Sequence, residues 1–232
     1  AFSSRNIWFA SGSIYHWDGQ KTTLEWTRNI QSTETVENVW GASPTNLYFV
    51  GTNGAIVHYN GTTFTRLASG TDTRVQDIWG AEDSLHNGWT IMCAVSPGYG
   101  LQNAGVYEIT PTYQVYQTPW VENRAVRSVW FESPFERFAC GSGIFRRRGD
   151  NAWEEIGSTA MIPAATERIR GVARNDIFVV GHFGYIAHYN GASFRVWQPD
   201  SNILFESCDY QEHLMVAVGY DGRRAYVLRM QR

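Results

Sequence analysis

Short apolar runs, each closed by turn residues, recur along this chain. The clearest pair is Leu47–Val50 and Ala55–Val57, the second of them set in the stretch Gly51–Gly61, GTNGAIVHYNG. That stretch returns as Gly181–Gly191, GHFGYIAHYNG, and more loosely as Gly12–Gly19, GSIYHWDG. Each copy predicts the same local structure. A strand ends at Gly, a tight turn follows, and a second strand carries Ile-x-His-aromatic. Asn-Gly or Asp-Gly then turns the chain back, with the positive φ of both central residues that a type I′ turn demands. A hairpin that recurs at a fixed offset is the mark of a repeat fold.

The longer repeat reads as four strands, A to D. In the unit at about residues 37–76 they are Glu37–Ser43, Asn46–Gly51, Ala55–Tyr59 and Thr63–Leu67. Strand A returns around Trp79, Trp130 and Arg170, at steps of 39, 51 and 40 residues from Trp40. A fifth alignment falls on Cys208, 38 residues further on, if Val218-Gly219 is matched to Val50-Gly51. The units so defined span about 1–36, 37–76, 77–126, 127–168, 169–206 and 207–232 of a single domain, residues 1–232. The first lacks an evident strand A and the last lacks strand D. Strands B and C are near-continuously apolar, as in LYFV and IFVV, which expects burial on both faces. No stretch sustains a 3.6-residue period, so no significant helix is expected. About 40 residues and four strands per unit predict an all-β fold, a β-propeller of four-stranded blades. Six blades fit the unit count. Five, with the chain ends sharing one blade, is the alternative, and closure by a partner or by further residues is a third.

The pattern V-W-G-x-S-x-x-x-L-Y-F-V-G-x-x-G-x-I-x-H-Y-N-G-x-x-F, carried by Val39–Phe64, resembles the tandem propeller repeat of bacterial exported and surface proteins. The resemblance is good in units two and five and weaker elsewhere. It implies a propeller with an extracellular or periplasmic location and no particular activity. A chain beginning at Ala1 is compatible with a processed, exported protein.

Composition narrows the picture. Hydrophobic residues make up 43% and charged residues 18%, which suits a packed core. A net charge of −3 gives no general attraction for nucleic acid or anionic lipid. No apolar run approaches the length of a membrane-spanning helix. Cys93, Cys140 and Cys208 are too few and too far apart for a disulfide framework or a zinc pattern, and read as small buried hydrophobes.

Candidate chemistry is sparse. His16, His58 and His188 share one place in strand C, which favours a packing histidine over a ring of ligands, since zinc needs nitrogens at about 2.0–2.1 Å. His182 lies near His188 in a hairpin, and two imidazoles alone are weak evidence for a metal. Arg146–Arg148 reads as a solvated turn beside Asp150, Glu154 and Glu155. Asn60-Gly61-Thr62 is a glycosylation sequon whose Asn-Gly already has a structural cause. Asp72, Asp77, Glu82, Asp83, Glu122, Asp176 and Asp209 supply carboxylates, but no pair is marked out as a glycosidase would need. G-x-S-x-G, H-E-x-x-H and the S/T-x-D-x-G-x-x-W box of sialidase-type propellers are absent.

The repeat breaks in unit three, where Ser96–Asn103 adds a Gly/Tyr/Asn-rich loop. Loops on a rigid scaffold are common binding elements. Tyr99, Gln102, Asn103, Trp89, Tyr113 and Trp120 are therefore the candidate binding residues, with no catalytic residue, metal or cofactor expected. The leading expectation is a non-catalytic interaction or scaffold module that binds a protein partner or joins an assembly. A glycan-binding lectin is the alternative, and a glycoside hydrolase comes third.

Overall fold

The structure is a computed structural model that describes residues 1–27, 33–85, 88–97, 103–157 and 165–231. Among these residues no helix occurs, and 22 strands form six antiparallel sheets. The chain divides into two compact units, Ala1–Pro119 and Trp120–Arg232.

The first unit holds three sheets. Sheet 1 is β1 (Ile7–Ser11), β2 (Ser13–Trp17) and β3 (Thr22–Trp26). Sheet 2 is β4 (Val36–Ser43), β5 (Asn46–Gly51), β6 (Ile56–Tyr59) and β7 (Phe64–Arg66). Sheet 3 is β8 (Val75–Asp83), β9 (Gly88–Val95), β10 (Gly105–Ile109) and β11 (Val115–Gln117). The second unit holds the others. Sheet 4 is β12 (Val126–Ser133), β13 (Glu136–Gly141), β14 (Gly143–Arg148) and β15 (Glu154–Glu155). Sheet 5 is β16 (Thr166–Ala173), β17 (Asp176–Gly181), β18 (Ile186–Tyr189) and β19 (Phe194–Trp197). Sheet 6 is β20 (Leu204–Gln211), β21 (Leu214–Tyr220) and β22 (Ala225–Gln231). Sheet 1 lacks the first strand of the pattern and sheet 6 the fourth.

The apolar runs are buried on both faces because a sheet lies on each side. In β5, Leu47 and Phe49 point toward sheet 1 and pack with Trp8 and Ile14. Tyr48 and Val50 point the other way, onto Ile78, Ile91 and Cys93 of sheet 3. The period-2 alternation of a strand thus divides one apolar run between two cores. In the second unit Phe178 and Val180 of β17 meet Phe205, Tyr210 and Met215 of sheet 6. Cys93, Cys140 and Cys208 are buried within these layers as thiols.

Val-Gly at the end of the second strand has a steric cause. A Cβ at Gly51, Gly141, Gly181 or Gly219 would run into the backbone oxygen of Thr35, Ala125, Ala165 or Leu204, at or just before the start of the strand beside it. Across that contact each first strand carries a bulge, which inserts Glu37, Gln76, Arg127, Glu167 and Glu206 as extra residues. Two of these clasp neighbouring sheets: the Arg127 guanidinium donates to Glu167 Oε2 at 2.8 Å through Nε and lies at 2.6 Å through Nη2. His182 Nε2 meets the other Glu167 oxygen at 2.9 Å.

Two expectations need correction. The positive-φ pair sits at Asn53-Gly54 (φ 53° and 64°), where the amide of Ala55 donates to the carbonyl of Thr52. At Asn60-Gly61 only the Gly has positive φ. There Tyr59 pairs with Phe64 across a four-residue loop, and Asn60 Oδ1 accepts the amides of Thr62 and Thr63 at 3.0 and 2.9 Å. It is an Asx turn, and Asp18, Asn190 and Asp221 repeat it. Second, Cys208 does not occupy the place of Trp40. Trp40 faces Tyr48, and the equivalent Val216 faces Asp209. Sheet 2 has a second bulge between Gly41 and Ser43 that sheet 6 lacks, which shifts the alignment by one residue.

Candidate interaction surfaces

The strand at the third place of the four-strand pattern, which is β2 in sheet 1, carries one recurrent polar side chain. His16, His58 and His188 stand opposite Trp8, Tyr48 and Phe178. Each Nε2 bonds the polar residue at or before the start of the second strand: His16 to Asn6 at 3.1 Å, His58 to Asn46 at 2.9 Å, His188 to Asp176 at 2.7 Å. In sheet 4 the same register holds Arg146 opposite Phe138, with Glu136 at the head of β13. Each histidine packs on the ring opposite it and takes a carboxamide or a carboxylate as partner, and His58 is covered besides by Tyr113 of sheet 3. Among the described residues no three His, Cys, Asp or Glu side chains are grouped to hold a metal. His182 turns to Glu167.

In the first unit this register builds an aromatic row. Trp40, Tyr48 and His58 lie side by side across β4, β5 and β6. Trp40 sits 6.2 Å from Tyr48, and Tyr48 sits 4.5 Å from His58, centroid to centroid. Sheet 3 closes the row at both ends. Trp89, second residue of β9, meets Trp40 edge-on at 5.4 Å, and Tyr113, in the turn before β11, covers His58 at 4.5 Å. Trp89 is 36% exposed and Tyr113 47%. Burial lowers the His58 pKa and raises that of the Tyr48 phenol, so the row is uncharged near neutral pH.

The candidate residues thus part company. Trp89 and Tyr113 cap one row. Asn103, at positive φ, lines a separate polar basin of about 700 Å³ with Thr71, Asp72, Tyr107 and Gln117. Tyr99 and Gln102 lie outside the described residues. Trp120 belongs to the second unit and is a structural brace. Its Nε1 donates to the carbonyl of Arg124 at 2.7 Å, and its ring meets Phe145 and Trp153 edge-on at 5.2 Å each.

The solvated reading of Arg146–Arg148 fails for two of the three side chains. Arg147 is buried and donates to the carbonyl of Asn151 at 2.9 Å, while Arg146 grips Glu154 at 2.6 Å and reaches the Tyr189 hydroxyl. Only Arg148 stands half in solvent, bonded to Glu136 at 3.0 Å, which raises its pKa.

Sequence reasoning missed a groove in the second unit, between sheets 5 and 6. One pocket of about 330 Å³ is lined by Phe178, His188, Arg195, Trp197 and Met230. A second, about 420 Å³, continues past Ile186, Pro199 and Leu228. Both flank β22.

No protein-family model matches the chain, and no curated protein matches it. Solved structures do. Ycf48 bound to a D1 peptide aligns at TM-score 0.69 and 13% identity, over 98% of this chain and 74% of that one. The WD40 β-propeller domain of Doa1 aligns at TM-score 0.69 and 13% identity, over 98% and 76%. The extracellular domain of the hybrid two-component system BT3049 from B. thetaiotaomicron aligns at 0.69 and 16%, over all of this chain and 33% of that one. With six antiparallel sheets and whole-chain likeness to propellers, this chain has the β-propeller fold.

Proposed function

We propose that this chain is a non-catalytic, protein-binding propeller that acts outside the cytoplasm. The observation that carries the reading is the aromatic row of sheets 2 and 3. Its inner rings are locked by packing, and its ends, Trp89 and Tyr113, stand in solvent. Rigid aromatic anchors with exposed faces are the side chains that dominate protein interfaces. Ycf48 lends support by analogy of fold, because it is seen with a peptide bound. The extracellular placement follows the repeat resemblance and the kinship in fold with the BT3049 domain.

The test is paired affinity capture from the native host, with wild type and a Trp89→Ser/Tyr113→Ser variant as baits. A protein retained by wild type and lost from the variant supports the reading. Equal recovery on both baits overturns it. A glycan array and fluorogenic glycosides, run on the same preparations, test the carbohydrate and hydrolase alternatives.

A further inference from the structure

In sheet 3 the aromatic row ends where β8 turns into β9 and β10 into β11. The polar basin of about 700 Å³ lies at the opposite end of the same strands. There the link from β7 into β8 supplies Thr71 and Asp72. The approach to β10 supplies Asn103, β10 itself Tyr107, and the last residue of β11 is Gln117. The backbone beneath these side chains is fixed. The Gly54 amide donates to the carbonyl of Thr73 at 3.0 Å, which ties the link to the turn after β5. Within the link, the Ser69 hydroxyl donates to the carbonyl of Thr71 at 3.1 Å and the Thr73 amide to Thr71 Oγ1 at 3.0 Å. On the other wall, the amide and the hydroxyl of Thr118 both donate to the carbonyl of Val106 at 2.8 Å. Gln117 stands opposite Tyr107, and its carboxamide lies over Gly105, where a Cβ would come within 2.6 Å of Nε2.

The chemistry of the lining selects its ligand. Among the described residues it holds one carboxylate, two carboxamides, a phenol and a hydroxyl, with no Lys, Arg or His. Asp72, Asn103 and Gln117 are exposed, while Tyr107 is buried in the core shared by sheets 2 and 3. An anion would meet Asp72 with no cation beside it. An apolar ligand would strip water from these polar groups and return no hydrogen bond. A hard metal ion asks for more carboxylate than Asp72 alone. A neutral saccharide answers all three objections. It has a hydroxyl on nearly every ring carbon, and each hydroxyl both donates and accepts. The volume lies within the range of small-ligand pockets.

We propose that the basin of Thr71, Asp72, Asn103, Tyr107 and Gln117 is a binding site for a neutral saccharide. The Asp72 carboxylate accepts from the sugar hydroxyls, and charge makes these the strongest bonds of the site. The Asn103 and Gln117 carboxamides donate to other hydroxyls and accept from them. Because the backbone on both walls is already tied down, little ordering is left for the ligand to bring about. This is a second ligand class, beyond the protein-binding role above, and it does not rest on that role. It uses none of the residues of the Trp89–Tyr113 row, so either surface can fail alone.

The probes are the methyl glycosides of glucose, galactose and mannose, each paired with its uronate, in which the hydroxymethyl group becomes a carboxylate. Spermidine, a polyamine without hydroxyls, is the cationic control. Amide chemical shifts of the isotope-labelled full chain are followed during titration. At least one neutral glycoside should bind saturably, with its shifts concentrated at Gly70–Asp72 and Asn103–Gly105, and its uronate should bind more weakly. Asp72→Asn should weaken binding about tenfold or more and Gln117→Ala about threefold, the scales for a charged and a neutral hydrogen bond. Both residues are exposed, so circular dichroism and melting of the variants should match wild type. The Trp89→Ser/Tyr113→Ser variant should bind the glycoside as wild type does. Absence of saturable shifts with all three neutral glycosides up to about 20 mM overturns the proposal. So does equal or tighter binding of the uronates, or binding unchanged in both Asp72→Asn and Gln117→Ala. Saturation by spermidine alone also overturns it and assigns Asp72 to a cation.

Discussion

His58 shows how one side chain serves the repeat. Its ring lies between Tyr48 and Tyr113 and its Nε2 meets Asn46. Burial lowers its pKa below the ordinary value. As pH falls through about 6.5, the unfolded chain takes up a proton there while the folded protein resists. The unfolded state then holds more protons, so stability falls with pH across that window and is fully present above it. Urea midpoints measured from pH 8 to pH 5 should show this slope, and His58→Gln should remove part of it. An unchanged slope in the variant would mean that the ring titrates alike in both states.

At the scale of the element, the hairpin after Val-Gly is the informative unit. Sheets 2 and 5 use the same turn, with Asn53-Gly54 in one and Phe183-Gly184 in the other, all at positive φ. Asn tolerates the left-handed region, whereas a bulky residue does not. Phe183 is also half exposed, so its side chain returns little packing. Phe183→Asn should therefore raise stability by about 0.5–1 kcal/mol, read as a higher denaturant midpoint at unchanged m-value. A loss of stability would show that contact of the ring with His182 outweighs the strain. The sequence made this hairpin visible because Gly and Asn-Gly answer local constraints: positive φ and close approach of backbone. It did not reveal the bulges, since the inserted residues Glu37, Gln76, Arg127, Glu167 and Glu206 are ordinary polar residues that carry no glycine or positive-φ signal. Nor did it reveal the second bulge between Gly41 and Ser43, absent from sheet 6, by which the alignment slipped one residue at Cys208. The aromatic row was half legible. Trp89 and Tyr113 stood out by composition, but their meeting on Trp40 and His58 depends on a neighbouring sheet that no local pattern encodes. Trp120 looked alike and proved to be a brace, because its partners Phe145 and Trp153 lie 25 and 33 residues on.

For the molecule as a whole, stability should follow adjacency. In the second unit sheets 5 and 6 share one core, so damage to one sheet is felt first by its neighbour, as in other repeat folds. Phe205 is the test residue. It is fully buried in sheet 6 and packs into the core made with Phe178, Val180 and Ile186 of sheet 5. Phe205→Ala should lower stability by about 3–5 kcal/mol. Hydrogen exchange should then report the geography: protection lost in β20–β22 and in Ile186–Tyr189 of β18, with β13 and β14 of sheet 4 retaining theirs. Uniform loss across sheets 4, 5 and 6 would show that the second unit unfolds as one body and that adjacency does not govern its stability. If loss stays within sheet 6, the shared core contributes less to sheet 5 than its buried rings imply, and β18 is held by its pairing with β17 and β19 instead.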